Sequence, residues 1–349
     1  MSEQSNPLLQ ASLLPPFARL KIEHIEPALD HQLSENRRRI SELLATVTEP
    51  NWQNFMAPIE QWDDELSQLW SPVSHLNGVK NSDELRDVYN ACLPKLTEYS
   101  TELGQNKQLY RAYQQLADSK AYGTLSSAQK KTVDNSLRDF KLSGIALEGD
   151  ERQRFADIKQ RMAELSTKFS NNVLDATHGW YLHINNQQQL AGIPDSAVAM
   201  YQQLAQDKKL NGYVISLDIP AYLPAMQYAD DASLRESLYR AYTTRASELG
   251  MAVEGDPLEW DNSAVIDEVL ALRSEIAKLL GFDSYAERSL ATKMADSPEQ
   301  VMGFLEDLAE RSLPVAKADY AELEHFAKQQ GAEALNAWDV PYYSEKLRL

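Results

Sequence analysis

From Ile22 onward the apolar positions Ile25, Leu29, Leu33, Ile40, Leu43, Leu44 and Val47 recur at steps of three and four, which lines them up on one face of an α-helix. Pro27 falls where a first helical turn tolerates a missing amide, so one long amphipathic helix is predicted here. A second is predicted from Trp52 to about Leu76. A third covers 83–116, with an interruption near Pro94, where proline removes an intrahelical hydrogen bond. Ser126 and Gln129 stand at capping-box spacing and open a helix that uses Val133, Leu137 and Phe140 and ends at Gly144. In 151–175, Phe155, Ile158, Met162, Leu165 and Phe169 form the seam of a helix packed along another.

After Gly179 the period changes. Segments 180–184 and 213–217 are short, aromatic and β-branched and are bounded by Asn and Gly, so they read as two strands, with a helix over 195–209 between them. Helices resume at 231–246 and at 261–280, the latter striped by Val265, Val269, Leu272, Ile276 and Leu279 and closed by Gly281 as a left-handed cap. Ser297, Pro298 and Gln300 supply the N-cap, first-turn proline and reciprocal capping residue of a helix to about Gln330, which Pro314 is expected to kink. The fold class is therefore mainly α, with a small β element near residues 178–218. No repeat, low-complexity tract or Pro/Gly/Ser-rich linker divides the chain.

Composition narrows the function classes. With 43% hydrophobic and 25% charged residues over 349 positions, the chain has the balance of a folded globular protein. Its 52 acidic against 34 basic residues give a formal charge of −18, which repels phosphate backbones and anionic lipid and excludes nucleic acid and membrane as expected partners. The single Cys92 cannot form an internal disulfide and reads as a small buried hydrophobe in a reducing compartment. Residues 1–20 lack a basic leader, and Gln10, Ser12, Pro15 and Pro16 break their apolar positions, so no signal peptide is expected. No uninterrupted apolar run is long enough to span a bilayer, and a cytoplasmic location is expected.

The chemistry-bearing residues form no catalytic motif. None of His24, His31, His75, His178, His183 and His325 belongs to an H-E-x-x-H, which needs two imidazoles one helical turn apart. His24 and His31 lie two turns apart, roughly 10 Å at the helical rise, too far for one metal, and surface or capping roles are expected of them. His178 and His183, if both are on the strand, point to opposite faces. Ser127 and Lys130 match S-x-x-K, a spacing that can pair a serine nucleophile with a lysine base, yet Ser126 and Ser127 also stand where a helix start wants hydroxyls. Asp63, Asp64 and Glu65 read as a solvated helix face, and the pairs Trp62/Trp70 and Tyr239/Tyr242 as core aromatics at helical spacing. Residues 179–181 and 211–213 either line a ligand groove at a sheet edge or pack in the core.

A resemblance carries the reading further. The stretches FARLKIEHIEP (17–27), SPVSHLNGVK (71–80), AQKKTVDNSLRDFKLS (128–143), FSNNVLDAT (169–177) and LDIPAYLPAMQY (217–228) resemble the thimet oligopeptidase/oligopeptidase A family. So do LRESLYRAYTTRAS (234–247), WDNS (260–263), LATKMA (290–295) and WDVPYYSEK (338–346), in the same order along nearly the whole chain. The resemblance implies an M3-type zinc metallopeptidase whose two helical halves enclose a channel that admits short peptides and excludes folded proteins. It implies that the zinc helix with H-E-x-x-H, a downstream Glu ligand, and Tyr and His groups that stabilise the tetrahedral intermediate all lie beyond Leu349. No catalytic, cofactor-binding or metal-ligating residue is therefore assigned within this chain.

The expected organisation is an N-terminal helical region, 1–145, and a second helical region with the β element, 146–349, leading toward the catalytic part. On this reading the chain is the non-catalytic N-terminal half of the peptidase and one wall of its channel. It is inactive alone, with the C-terminal half and short peptides as partners and zinc only in the intact protein. The alternative is a stand-alone helical module that binds peptides or a protein partner without cutting them. The face that meets the missing half is expected to be more apolar than the rest of the surface.

Overall fold

A computed structural model describes residues 6–10, 12 and 14–349. It is mainly α, as the periodicity predicts. Among the described residues the helices are α1 (Ile25–Thr46), α2 (Ala57–Val79), α3 (Asp83–Gly104), α4 (Lys107–Ala117), α5 (Lys120–Gly123), α6 (Ser127–Leu142) and α7 (Gly149–His178). After strand β1 (Tyr181–Ile184) come α8 (Asp195–Asp207), β2 (Tyr213–Ser216), α9 (Ile219–Tyr228), α10 (Ala232–Thr244), α11 (Ser263–Leu279), α12 (Tyr285–Leu290), α13 (Pro298–Gln329) and α14 (Val340–Arg348). The chain forms two compact units, one of residues 1–167 with 271–288 and one of 168–270 with 289–349.

In the first unit, the predicted face of α1 is buried through Ile25, Leu29 and Leu33 against Leu69 and Val73 of α2 and Cys92 and Tyr99 of α3. Lys95 ties α3 back to α1, reaching Glu26 at 2.8 Å and Asp30 at 2.6 Å. A second cluster joins Phe55 and Met56 to Leu109, Leu116, Val133 and Phe140. The long third helix breaks at Gln105 and Asn106, not at Pro94. Pro94 stays inside α3, one turn after the exposed Asn90, whose carbonyl loses its intrahelical partner to the proline. At the break, Asn106 Oδ1 accepts from the amides of Gln108 and Leu109, both at 3.0 Å, and so starts α4 as a separate helix.

In the second unit, β1 and β2 pair antiparallel, with Tyr181 opposite Ser216 and Ile184 opposite Tyr213. Trp180, Ile184, Tyr201, Ile215, Ala225 and Leu238 centre its core. His178 closes α7 and is not on the strand, so it and His183 belong to different elements. The α7 seam holds at Phe155, Ile158 and Leu165, whereas Phe169 is 40% exposed and contributes only its carbonyl, which accepts from Asn262 Nδ2 at 3.1 Å. Helix α9 was not evident from periodicity, because Pro220 and Pro224 fall within it. Pro220 occupies the first turn, where no amide is needed, and the helix is fixed by burial of Ala221, Ala225 and Met226.

Candidate functional site

The histidines are dispersed among separate local roles. His24 is buried, and its Nδ1 accepts from the Lys21 amide at 3.1 Å, a capping role. His75 packs near the Phe17 ring, His183 Nε2 meets the Asn211 carbonyl at 2.6 Å, and His325 bonds Gln329 at 2.8 Å. His178 lies 3.9 Å from Asp218 with both side chains more than half exposed. Among the described residues no group of three His, Cys, Asp or Glu side chains is placed to hold a metal ion.

At the start of α6, Ser126 Oγ accepts from the Gln129 amide at 3.3 Å, and Gln129 Oε1 accepts in return from the Ser126 amide at 2.9 Å, the predicted capping box. Lys130 extends toward the Tyr122 ring, 5.7 Å from its centre. Of the S-x-x-K pair, Ser127 is the first helical residue beside the Ser126 cap, and Lys130 makes a cation–π contact. Residues 179–181 belong to the core alternative, since Trp260 packs directly on Gly179 and Trp180 is buried. Glu65 pairs with Arg39 at 2.7 Å, while Asp63 and Asp64 are exposed.

A buried polar cluster lies where α14 meets α9 and α10, and its residues come largely from the WDVPYYSEK stretch. Arg235 reaches Asp339 at 2.5 Å and the Ala229 carbonyl at 2.5 Å, and its guanidinium sits 4.1 Å from the centre of the Tyr342 ring. The Tyr342 hydroxyl donates to Asp230 at 2.6 Å and the Tyr228 hydroxyl to Glu345 at 2.8 Å. The Tyr342 hydroxyl, with help from Lys346, holds the Asp230 carboxyl below the usual range against the opposing effect of burial. Beside this cluster Tyr222 stacks on Tyr242 with ring centres 4.4 Å apart, and Arg245 lies 3.8 Å from the centre of the Tyr242 ring. Along the chain this stretch stands out only through its resemblance to the family. Its signal was three charged and three aromatic residues within nine positions, though nothing along the chain named Arg235 as their buried partner.

In the first unit a cleft of about 630 Å³ separates α3 from α7. Its lining is mostly polar, including Thr101, Glu98, Asp157, Gln160 and Arg152, and Arg152 Nε donates at 2.8 Å to the side chain of the buried Gln105. Small-molecule pockets are usually lined by apolar and aromatic side chains, and of these the cleft has only Pro94 and Ala156 and no aromatic ring.

The most extended unpartnered surface is α13, where residues 302–322 are exposed without a break. The exposed set includes Met302, Phe304, Leu308, Leu313, Val315 and Tyr320, against a surface that elsewhere is strongly acidic.

Comparison with known proteins gives this arrangement a family. The model for the neurolysin/thimet oligopeptidase N-terminal domain matches residues 29–152, and that for peptidase family M3 matches residues 225–349. The chain belongs to peptidase family M3. Within that family it aligns with oligopeptidase A: it is 49% identical to oligopeptidase A of Escherichia coli (strain K12) over 343 residues, covering 98% of this chain and 50% of that protein. Identity is 50% over 345 residues to oligopeptidase A of Haemophilus influenzae, and 39% over 354 residues to a probable cytosolic oligopeptidase A of Arabidopsis thaliana. The chain spans about half the length of these curated relatives, 49–50% of each, and corresponds to their N-terminal half.

Proposed function

We propose that the chain is the non-catalytic half of a zinc-dependent oligopeptidase, forming one wall of a channel in which short peptides are hydrolysed. The observation that carries this reading is the collinear match to oligopeptidase A over 98% of the chain and half of the relative, in a sequence without H-E-x-x-H. Zinc and the groups that act with it belong to the C-terminal half. There the metal's chemistry is to polarise the scissile carbonyl and activate water. The residues of this half contribute the enclosure that selects substrates by length. A cytosolic setting accords with the Arabidopsis relative's description, and no helix among the described residues is long and apolar enough to cross a membrane.

Two measurements test this. The intact mass of the protein from its own cells is expected near twice 39.4 kDa. That longer protein is expected to cleave short peptides in a chelator-sensitive manner, while the 349-residue chain does not. Cleavage by the 349-residue chain, surviving removal of trace proteases, overturns the assignment. A cellular mass of 39.4 kDa transfers it to the stand-alone binding module.

A further inference from the structure

We propose that α13 is the surface on which this chain docks the C-terminal half of the longer oligopeptidase, and that this half supplies two apolar surfaces, one along each flank of the helix. The proposal rests on the reading above and names the contact that reading requires.

The argument begins with the helix itself. At 100° per residue, Phe304, Leu308 and Val315 line one edge of the apolar face and Met302, Leu313 and Tyr320 the other, so that face spans roughly 180°, interrupted by Ser312 and Asp319. Glu306, Asp307, Glu310 and Lys317 occupy the opposite side, where Arg311 pairs with Asp307 at 2.8 Å. Near the C-terminal end the same apolar face is already in use, since Leu323 and Ala327 are buried there with Phe326 against Tyr342 and Tyr343 of α14. The face that is core at 323–327 continues uncovered through 302–322, a length of about 30 Å at the helical rise. Phe304 is 66% and Val315 60% exposed on one edge, Met302 54% and Leu313 52% on the other.

The occupant follows from width and position. A helix that packs on one partner needs an apolar stripe of about 100°, so a half-circle needs cover on both sides. A second copy of this chain, meeting α13 along one line, would leave one edge wet. The M3 family match contains all of α13, and the relatives carry as much chain again outside the aligned half. That remaining half is the partner whose core α13 completes.

The experiment compares L308C with E310C in the longer protein, using a maleimide. Leu308 lies on the apolar face and Glu310 opposite it; the native Cys92 is fully buried with its thiol pushed up to about 11, and labelling is read at the introduced residue by peptide mapping, so other cysteines do not enter the comparison. L308C is expected to react about 100-fold more slowly than E310C in the longer protein, and at a similar rate in the 349-residue chain. Hydrogen exchange over 302–322 in the unsubstituted longer protein is expected to show the same protection, which removes any dependence on the variants' folding. Equal labelling in the longer protein, or exchange over 302–322 as fast as in an exposed helix, overturns the proposal. So does protection that appears in the 349-residue chain and rises with its concentration, or a gene product that ends at residue 349. Peptide hydrolysis is measured in parallel. Hydrolysis with an unprotected α13 removes the docking surface and keeps the peptidase reading; a protected α13 without hydrolysis does the reverse.

Discussion

Arg235 and Asp339 form an ion pair at 2.5 Å with side chains only 2% and 6% exposed, joining α10 to the turn that leads into α14. A buried pair of this kind is tolerated because Arg235 also satisfies the Ala229 and Asp230 carbonyls and lies against the Tyr342 ring. Removing one partner strands the other charge. R235A is expected to destabilise the second unit by about 3–5 kcal/mol, read from denaturant unfolding. R235K is not expected to rescue it, since an ammonium lacks the planar fork that serves these acceptors together. A midpoint for R235A equal to wild type would show that the pair is not structural.

Gly179 accepts at its carbonyl from the amides of Val253 at 2.8 Å and Glu254 at 2.9 Å, which draws the 253–260 segment onto it. A Cβ at this position would lie 2.2 Å from the Trp260 ring and 2.7 Å from the Glu254 carbonyl oxygen. G179A is therefore expected to cost about 1–3 kcal/mol through overpacking. Combining it with W260A should cost less than the sum of the two, because the ring is one of the two obstacles. Strict additivity in that cycle would contradict the close approach.

Elements whose determinants are local were legible along the chain. The Ser126/Gln129 cap forms as spaced, and Gly281 takes φ +79 with the Phe282 amide donating back to the Ala277 carbonyl, a six-to-one closure. Long-range determinants were not legible. One local detail also differed: Gln300 Oε1 accepts from the Asp296 amide and not from that of Ser297. Pro94 stays within α3, one turn after the exposed Asn90, and α9 was hidden because burial, not propensity, holds it. The Arg235 cluster joins residues 104 positions apart, a distance that no local pattern encodes. The apolar face of α13 was visible as a periodic stripe, but only exposure in the fold distinguishes a covered stripe from an uncovered one.

Capping separates the two neighbouring serines. Ser126 Oγ bonds the Gln129 amide at 3.3 Å, so S126A is expected to lose about 1 kcal/mol of stability. S127A, at the first helical position, is expected to leave stability within about 0.5 kcal/mol of wild type, as surface substitutions do. Labelling of Ser127 by a serine-directed active-site reagent would contradict this division and revive the S-x-x-K reading.

Acid sensitivity has an identifiable contributor in α1. Arg38, and after it Arg39 from 3.1 Å, donate to the Glu35 carboxylate and outweigh desolvation, lowering it from an ordinary 4.5 to about 2. Because the folded value is the depressed one, the contribution is fully present above pH 4.5 and is lost as pH falls from there toward about 2. E35Q should therefore melt below wild type at neutral pH, and the gap should close progressively across that window. Added salt should narrow the neutral-pH gap as well, since Arg38 is half exposed and its attraction is screened. A gap that persists unchanged to pH 2 would assign the effect of the substitution to packing and not to the carboxylate's charge.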